Sequence, residues 1–466
     1  MMKKGLVVYK LYRALTHGLS PLIRLHLRWR RFLGLEHPHR WLERLGLPSQ
    51  PRHAGPLLWF HAVSLGEGMI AVPVIKHCIR RMPHLNVLMT ITTMSSFEVL
   101  SKSLPSGIIL QFSPVDTPTS IHSFLDYWKP NAIVLMESEL WPNLIMDASR
   151  NGIKLALLNA RMSEKSFKIW SRPVLLPLIS LMLSKFSLIV PLSTEQGIRF
   201  QLLQAPPYII NFSGDLKYVI EDFGVNERGR IDIDNLRLEL TQKKVWMASS
   251  IHSGEEEIIL GVHNALMQQQ PNTMTIIVPR HPQEGREIAK VSFSSHILSK
   301  HDFGFLQKLE KEGQNVVLRS QNEKFKPGTD IYVVDTLGEL RLLYTLTPIA
   351  VIGGSLLPGL SGHNISEAAA AGCAVLTGCH IGHFSHMVLE MQRSNPLSVH
   401  QVSGKLELEK ALIELFTNAT LLEARRRAAK EAFCQLSCGI VENIWSLLNF
   451  HIFCRLSADE SKSFRL

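Results

Sequence analysis

Glu67 sits in the turn Ser64-Leu65-Gly66-Glu67-Gly68, directly after an apolar strand-like run at 57–63 (LLWFHAV). The two glycines let the backbone turn sharply, and a helix starting there offers free N–H groups to an anion. A carboxylate in that place would repel a phosphate, so Glu67 has two readings. It is a first-turn acid favoured by the helix dipole, or a general base pointed into a cleft. Glu137 and Glu139 straddle the turn after a second strand, 132–137, and Pro142 fixes the next helix start. One of the two could be only an N-terminal acid. A glutamate from this turn beside Glu67 would form a carboxylate pair, suited to moving a hydroxyl proton. Arg161, closing strand 154–159, is an anion contact or a salt-bridge partner.

The second half of the chain carries a different chemistry. Ser249–Glu255 follows a strand and opens a helix, the arrangement of an anion-binding turn. Pro279-Arg280-His281-Pro282, Asp335-Thr336-Leu337-Gly338-Glu339 and Gly353-Gly354-Ser355 end three more strands. The run Gly362-His363-Asn364-Ile365-Ser366-Glu367 opens a helix of small residues, from which Glu367 could accept hydrogen bonds from both ribose hydroxyls of a nucleotide. Such turns at corresponding strand ends in one half argue for a nucleotide site. Asp232 and Asp234 resemble a metal-binding DxD, but they lie in a polar linker and read as surface acids. No metal is implied.

Short, near-continuous apolar runs alternating with helical patterns must position these residues. In the first half, strands at 57–63, 86–92, 108–112, 132–137, 154–159 and 187–192 frame helices at 67–81, 95–103, 117–128 and 140–151. In the second, strands at 244–248, 274–279, 315–319, 331–335, 349–354 and 373–377 frame helices at 254–269, 338–346 and 364–371. Strands of this kind belong to parallel sheets covered on both faces. The expected fold is α/β, with two doubly wound, Rossmann-like domains facing across a cleft and ligands beyond the carboxyl ends of the strands. The expected divisions are a basic amphipathic segment at 1–52, one domain at 53–220, a linker at 221–241, a second domain at 242–433, and a C-terminal helix and tail at 434–466.

Charge is concentrated at one end. Residues 1–52 hold eleven Lys and Arg against two acids, while the remaining 414 hold 39 against 38. A neutral body argues against nucleic-acid binding by the main fold. No apolar stretch reaches the ~20 residues of a spanning helix, and the charge-free run 174–184 is broken by Pro177. The basic arm is expected to lie on an anionic membrane surface, to direct import, or to pack on the body as a solvated helix. The six cysteines read as small core residues in a reducing compartment.

The motifs HAVSLGEG (61–68), MESELWPN (136–143), LNARMS (158–163), SGDLK (213–217), VPRHP (278–282), DTLGEL (335–340) and GGS…GHNISEAAAAG (353–372), in this order, resemble the 3-deoxy-D-manno-octulosonic acid (Kdo) transferases of glycosyltransferase family 30. The resemblance implies a GT-B fold and inverting transfer of Kdo from CMP-Kdo to a lipid A precursor, with no metal or cofactor. It implies Glu67 as general base, and Glu137 and Lys217 as transition-state stabilisers. It places CMP contacts on Pro279, Arg280, Leu337, Gly338, Glu339, Asn364, Ile365, Ser366 and Glu367. The sequence departs from the family pattern by extra residues near 289–305. Wording such as GCHIGHFSHMV (378–388) is similar to plant members, which implies a mitochondrial location; the cytoplasmic face of a bacterial inner membrane is the alternative. Two other readings are a GT-B enzyme using another nucleotide sugar and a non-catalytic membrane-associated relative.

Overall fold

The computed structural model describes residues 2–219, 236, 237, 240, 243–280, 316–320, 328–336 and 338–454. Most of the linker expected at 221–241, with Asp232 and Asp234, lies outside the described residues, as do His281, the extra segment 289–305 and Leu337. The chain divides into two compact units, Met1–Glu221 with Gly439–Leu466, and Asp222–Cys438.

The first unit is built on a six-stranded parallel sheet: β1 (Leu57–His61), β2 (Asn86–Ile91), β3 (Ile109–Phe112), β4 (Ala132–Met136), β5 (Lys154–Ala160) and β6 (Leu188–Pro191). Nearly every residue of these strands is buried, because helices cover both faces of the sheet. The spatial order is β3-β2-β1-β4-β5-β6. The order therefore reverses between β1 and β4, which pair with His61 opposite Leu135. That reversal is the switch point at which doubly wound sheets open a ligand crevice.

The second unit has seven parallel strands: β7 (Lys244–Ile251), β8 (Thr273–Pro279), β9 (Val316–Leu318), β10 (Ile331–Val333), β11 (Ile349–Ile352), β12 (Ala374–Gly378) and β13 (Val399–Val402). Their order is β13-β12-β11-β7-β8-β10-β9, reversing between β11 and β7. The sequence reading missed β13 and the helices Glu164–Trp170, Leu176–Leu183, Thr194–Leu202, Ser385–Ser394, Lys405–Thr417 and Ala419–Ser437. Pro177 does not break its segment; it occupies the first turn of Leu176–Leu183, where no intrahelical N–H is required. Of the cysteines, only Cys78 and Cys373 are buried, so the core reading fails for Cys379, Cys434, Cys438 and Cys454.

The arm is two helices, α1 (Met2–Gly18) and α2 (Ser20–Phe32). Tyr9 is fully buried, and Gly5 lies against the Pro177 carbonyl. Tyr12 donates to Asp116 at 3.0 Å, Arg13 pairs with Asp147 at 2.8 Å, and Asn143 donates to the Thr16 hydroxyl at 3.0 Å. The opposite side leaves Met2, Leu6, Val7, Leu11, Leu15, Leu22, Leu25, Trp29 and Phe32 exposed. No described helix is long and apolar enough to cross a membrane.

Candidate functional site

At the switch point of the first unit, Ser64 caps the helix α3 (Leu65–Arg81) by accepting from the Glu67 N–H at 3.3 Å. The Glu67 carboxylate answers by accepting from the Val63 N–H at 2.8 Å and the Ser64 hydroxyl at 3.0 Å. This is a capping box, so the helix-start reading of Glu67 is realised in the geometry and fixes the carboxylate in one rotamer. Burial raises its affinity for a proton, the Val63 and Ser64 hydrogen bonds oppose that, and the charge of Glu137 adds to it. The glycines do not act as expected. Neither Gly66 nor Gly68 takes a left-handed backbone; a side chain at Gly68 would strike Leu100, so this glycine lets α3 settle on the neighbouring helix.

Glu137 directly follows β4 with φ +50°, in the region that L residues seldom adopt. Asn159, on the adjacent strand, has φ +52° at a β-bulge. The two strained positions turn their side chains toward one segment. Asn159 Oδ1 accepts from the Leu216 N–H at 2.9 Å, and Asp215 accepts from the Lys217 N–H at 2.9 Å. Lys217 Nζ thereby reaches Glu137 at 3.0 Å, and Arg161 reaches it at 3.6 Å. Burial holds the Asp215 carboxyl above its ordinary range. Glu67, Glu137 and Lys217 are thus gathered at neighbouring strand ends.

Glu139 joins them. Trp141 Nε1 donates to its carboxylate at 2.7 Å, and the Trp141 ring stands edge-on to His61 with centroids 4.8 Å apart. Burial, then the charge of Glu67, lifts the Glu139 carboxyl to about 7. Its spacing from Glu137 marked it in the sequence, but nothing there told which of the two would face Glu67. His61 is fully buried, donates to or accepts from the Thr90 hydroxyl at 2.8 Å, and is pushed by burial down to about 3, hence neutral.

In the second unit the selected residues fall at the end of β8, in the segment after β10, and at the start of the helix Ser366–Ala370. Pro279 closes β8, and Arg280 is exposed, its N–H donating to the Ile251 carbonyl at 2.9 Å. Gly338 has φ +88°, and Glu339 pairs with the buried Arg319 at 2.8 Å. Asn364 Oδ1 accepts from the Ser366 N–H at 2.9 Å, and Glu367 pairs with Arg341 at 2.8 Å. Ile365 and Ser366 are fully buried, backbone included. Arg319 and Arg341 went unnoticed in the sequence because each lies 20 or more residues from the acid it holds.

The turn Ser249–Glu255 is not an open anion site. The buried Glu255 carboxylate accepts from the N–H groups of His252, Gly354, Ser355 and Leu356 at 2.7–2.9 Å. The protein's own acid occupies the donors that an external anion would need.

Residues 39–220 match the family model of the 3-deoxy-D-manno-octulosonic-acid transferases (kdotransferases). The chain is 61% identical, over 97% of its length and 98% of the relative's, to a probable mitochondrial 3-deoxy-D-manno-octulosonic acid transferase of Arabidopsis thaliana. It belongs to the Kdo transferase family. A Haemophilus influenzae Kdo transferase is 32% identical over 75% of this chain and 77% of its own. Among solved structures, UDP-GlcNAc 2-epimerase from Neisseria meningitidis superposes with a TM-score of 0.57 at 12% identity, covering 84% of this chain and 99% of its own. That likeness speaks for the fold, a GT-B type with two Rossmann-like domains. Membership makes the protein a glycosyltransferase of the Kdo transferase kind.

Proposed function

We propose that this Kdo transferase moves Kdo from CMP-Kdo to a primary hydroxyl of the glucosamine disaccharide in a lipid A precursor, with inversion. Glu67 takes the hydroxyl proton, the hydroxyl oxygen bonds to the anomeric carbon, and the bond from that carbon to the phosphate oxygen breaks, CMP keeping the electron pair. The sugar becomes oxocarbenium-like on the way. Glu137 faces that positive charge, and Lys217 supports the negative charge that builds on the phosphate. CMP is held by Pro279, Arg280, Leu337, Gly338 and Glu339, by Asn364, Ile365 and Ser366 at the next helix start, and by Glu367 on the ribose. The reading needs neither metal nor cofactor, and no nucleic acid. It puts the acceptor domain at 53–220 and the donor domain at 242–433, flanked by the arm 1–52 and the segment 434–466.

The observation that carries this reading is the gathering of Glu67, Glu137 and Lys217 at the β1–β4 switch point. The arm is read as the contact with an anionic membrane surface, since bases and exposed apolar side chains share α1 and α2. The name of the Arabidopsis relative supports a mitochondrial location. Glu67→Ala tests the assignment. Transfer is expected to fall more than ~100-fold, as for loss of a general base, while CMP binding in calorimetry stays within about twofold. Turnover at the wild-type rate would overturn it.

A further inference from the structure

We infer that Glu139 is a positioning residue that carries the proton of a carboxyl pair at the switch point, so that its neighbour Glu67 stands ionised. The inference rests on Glu67 being the base. β1 and β4 are adjacent parallel strands in register from Leu58–Ala132 to His61–Leu135, so the turns holding Glu67 and Glu139 leave the sheet side by side. The Trp141 indole, lodged against His61 at the end of β1, fixes Glu139 on that side.

Both carboxyls are half-buried and the charge of Glu67 acts on Glu139; two carboxyls coupled in this way share one proton near neutrality, and the pair titrates as a unit. Hydrogen bonds decide which member keeps it. Glu67 accepts from the Val63 N–H and the Ser64 hydroxyl, both of which favour its ionised form. Glu139 has the Trp141 N–H. The more strongly solvated carboxylate ionises first. Other charges around the pair do not reverse this: Glu137, paired with Lys217 and Arg161, raises both carboxyls and so does not choose between them, and His61 is neutral. A protonated Glu139 spares the site a second negative charge, which a donor bearing a carboxylate and a phosphate would meet as repulsion.

The test is infrared titration of the whole protein alongside kinetics. A carboxylic-acid carbonyl band should be present in the wild type at pH 6, titrate near neutral pH, and vanish in Glu139→Gln. In Glu67→Gln the same band should persist and titrate at lower pH, because the like charge has gone. The alkaline limb of kcat/KM should be absent from Glu139→Gln. It should move upward in Trp141→Phe, which removes a donor that favours the charged form. Loss of the band in Glu67→Gln instead overturns the inference by placing the proton on the other residue. A folded Glu139→Gln that binds CMP yet is inactive at every pH also overturns it, since a neutral isostere should serve. Retained turnover in Glu67→Gln refutes the base assignment but leaves the infrared result standing, so the two failures are separable.

Discussion

Two glycines in α1 make opposite predictions. In an ordinary helix, Gly→Ala stabilises by ~1 kcal/mol. Nothing lies within 4 Å of a Cβ built on Gly18, so Gly18→Ala should gain up to ~1 kcal/mol, less what fraying at the helix end removes. At Gly5 the new methyl meets the Pro177 carbonyl and the Leu181 Cβ at 3.1 Å, and a backbone atom cannot step aside as a side chain can. Overpacking of this kind costs ~1–3 kcal/mol. After subtraction of the propensity gain, Gly5→Ala should destabilise by up to ~2 kcal/mol. For a domain of this size each kcal/mol moves Tm by ~2–4 °C. Differential scanning calorimetry should therefore lower the first unit's Tm for Gly5→Ala and hold or raise it for Gly18→Ala. Stabilisation by both substitutions would refute the seating of α1 on the helix Leu176–Leu183. Because α1 also holds Asp147, inside the helix Pro142–Arg150 that follows Glu139, and Asp116, which accepts from the Asn143 N–H at that helix's start, the same clash should loosen the turn that carries Glu137 and Glu139.

Three other outcomes follow from the geometry. Lys217→Met should lower kcat by ~10²–10³ by removing one cation from the transition state, measured with saturating donor; an unchanged kcat would refute its role. Buried neutral His61 cannot take up a proton until about pH 3, whereas the unfolded chain does so near 6.5. Stability is therefore lost as pH falls between these values, by up to ~1.4 kcal/mol per pH unit, and His61→Asn should flatten that decline in urea titrations. Replacing exposed Lys3, Lys4 and Lys10 with Gln should weaken binding to anionic vesicles by ~3 kcal/mol, or ~100-fold, at low salt; no change would remove those lysines from the membrane contact.

Much of this architecture was legible because parallel strands buried on both faces leave an unmistakable apolar signature. β1, β4, β7 and β11 were all marked by their runs, and the residues just beyond them were marked as the place for chemistry. What the pattern could not carry was pairing at a distance. Glu339 and Glu367 looked like open ligand contacts, and only the fold brings Arg319 and Arg341 to them. Glu255 looked like the end of an anion site and is instead its occupant. The arm's charge suggested a surface segment, yet single residues such as Tyr9 and Gly5 decide that α1 is packed. Periodicity averages over a helix face and cannot register one buried ring.

The most direct measurement is mass spectrometry of a tetraacylated lipid A precursor after incubation with purified protein and freshly made CMP-Kdo. The account predicts lipid heavier by one or more Kdo residues, CMP released in equal number, and neither product with Glu67→Ala. Unmodified lipid, or modified lipid formed equally well by Glu67→Ala, would contradict it.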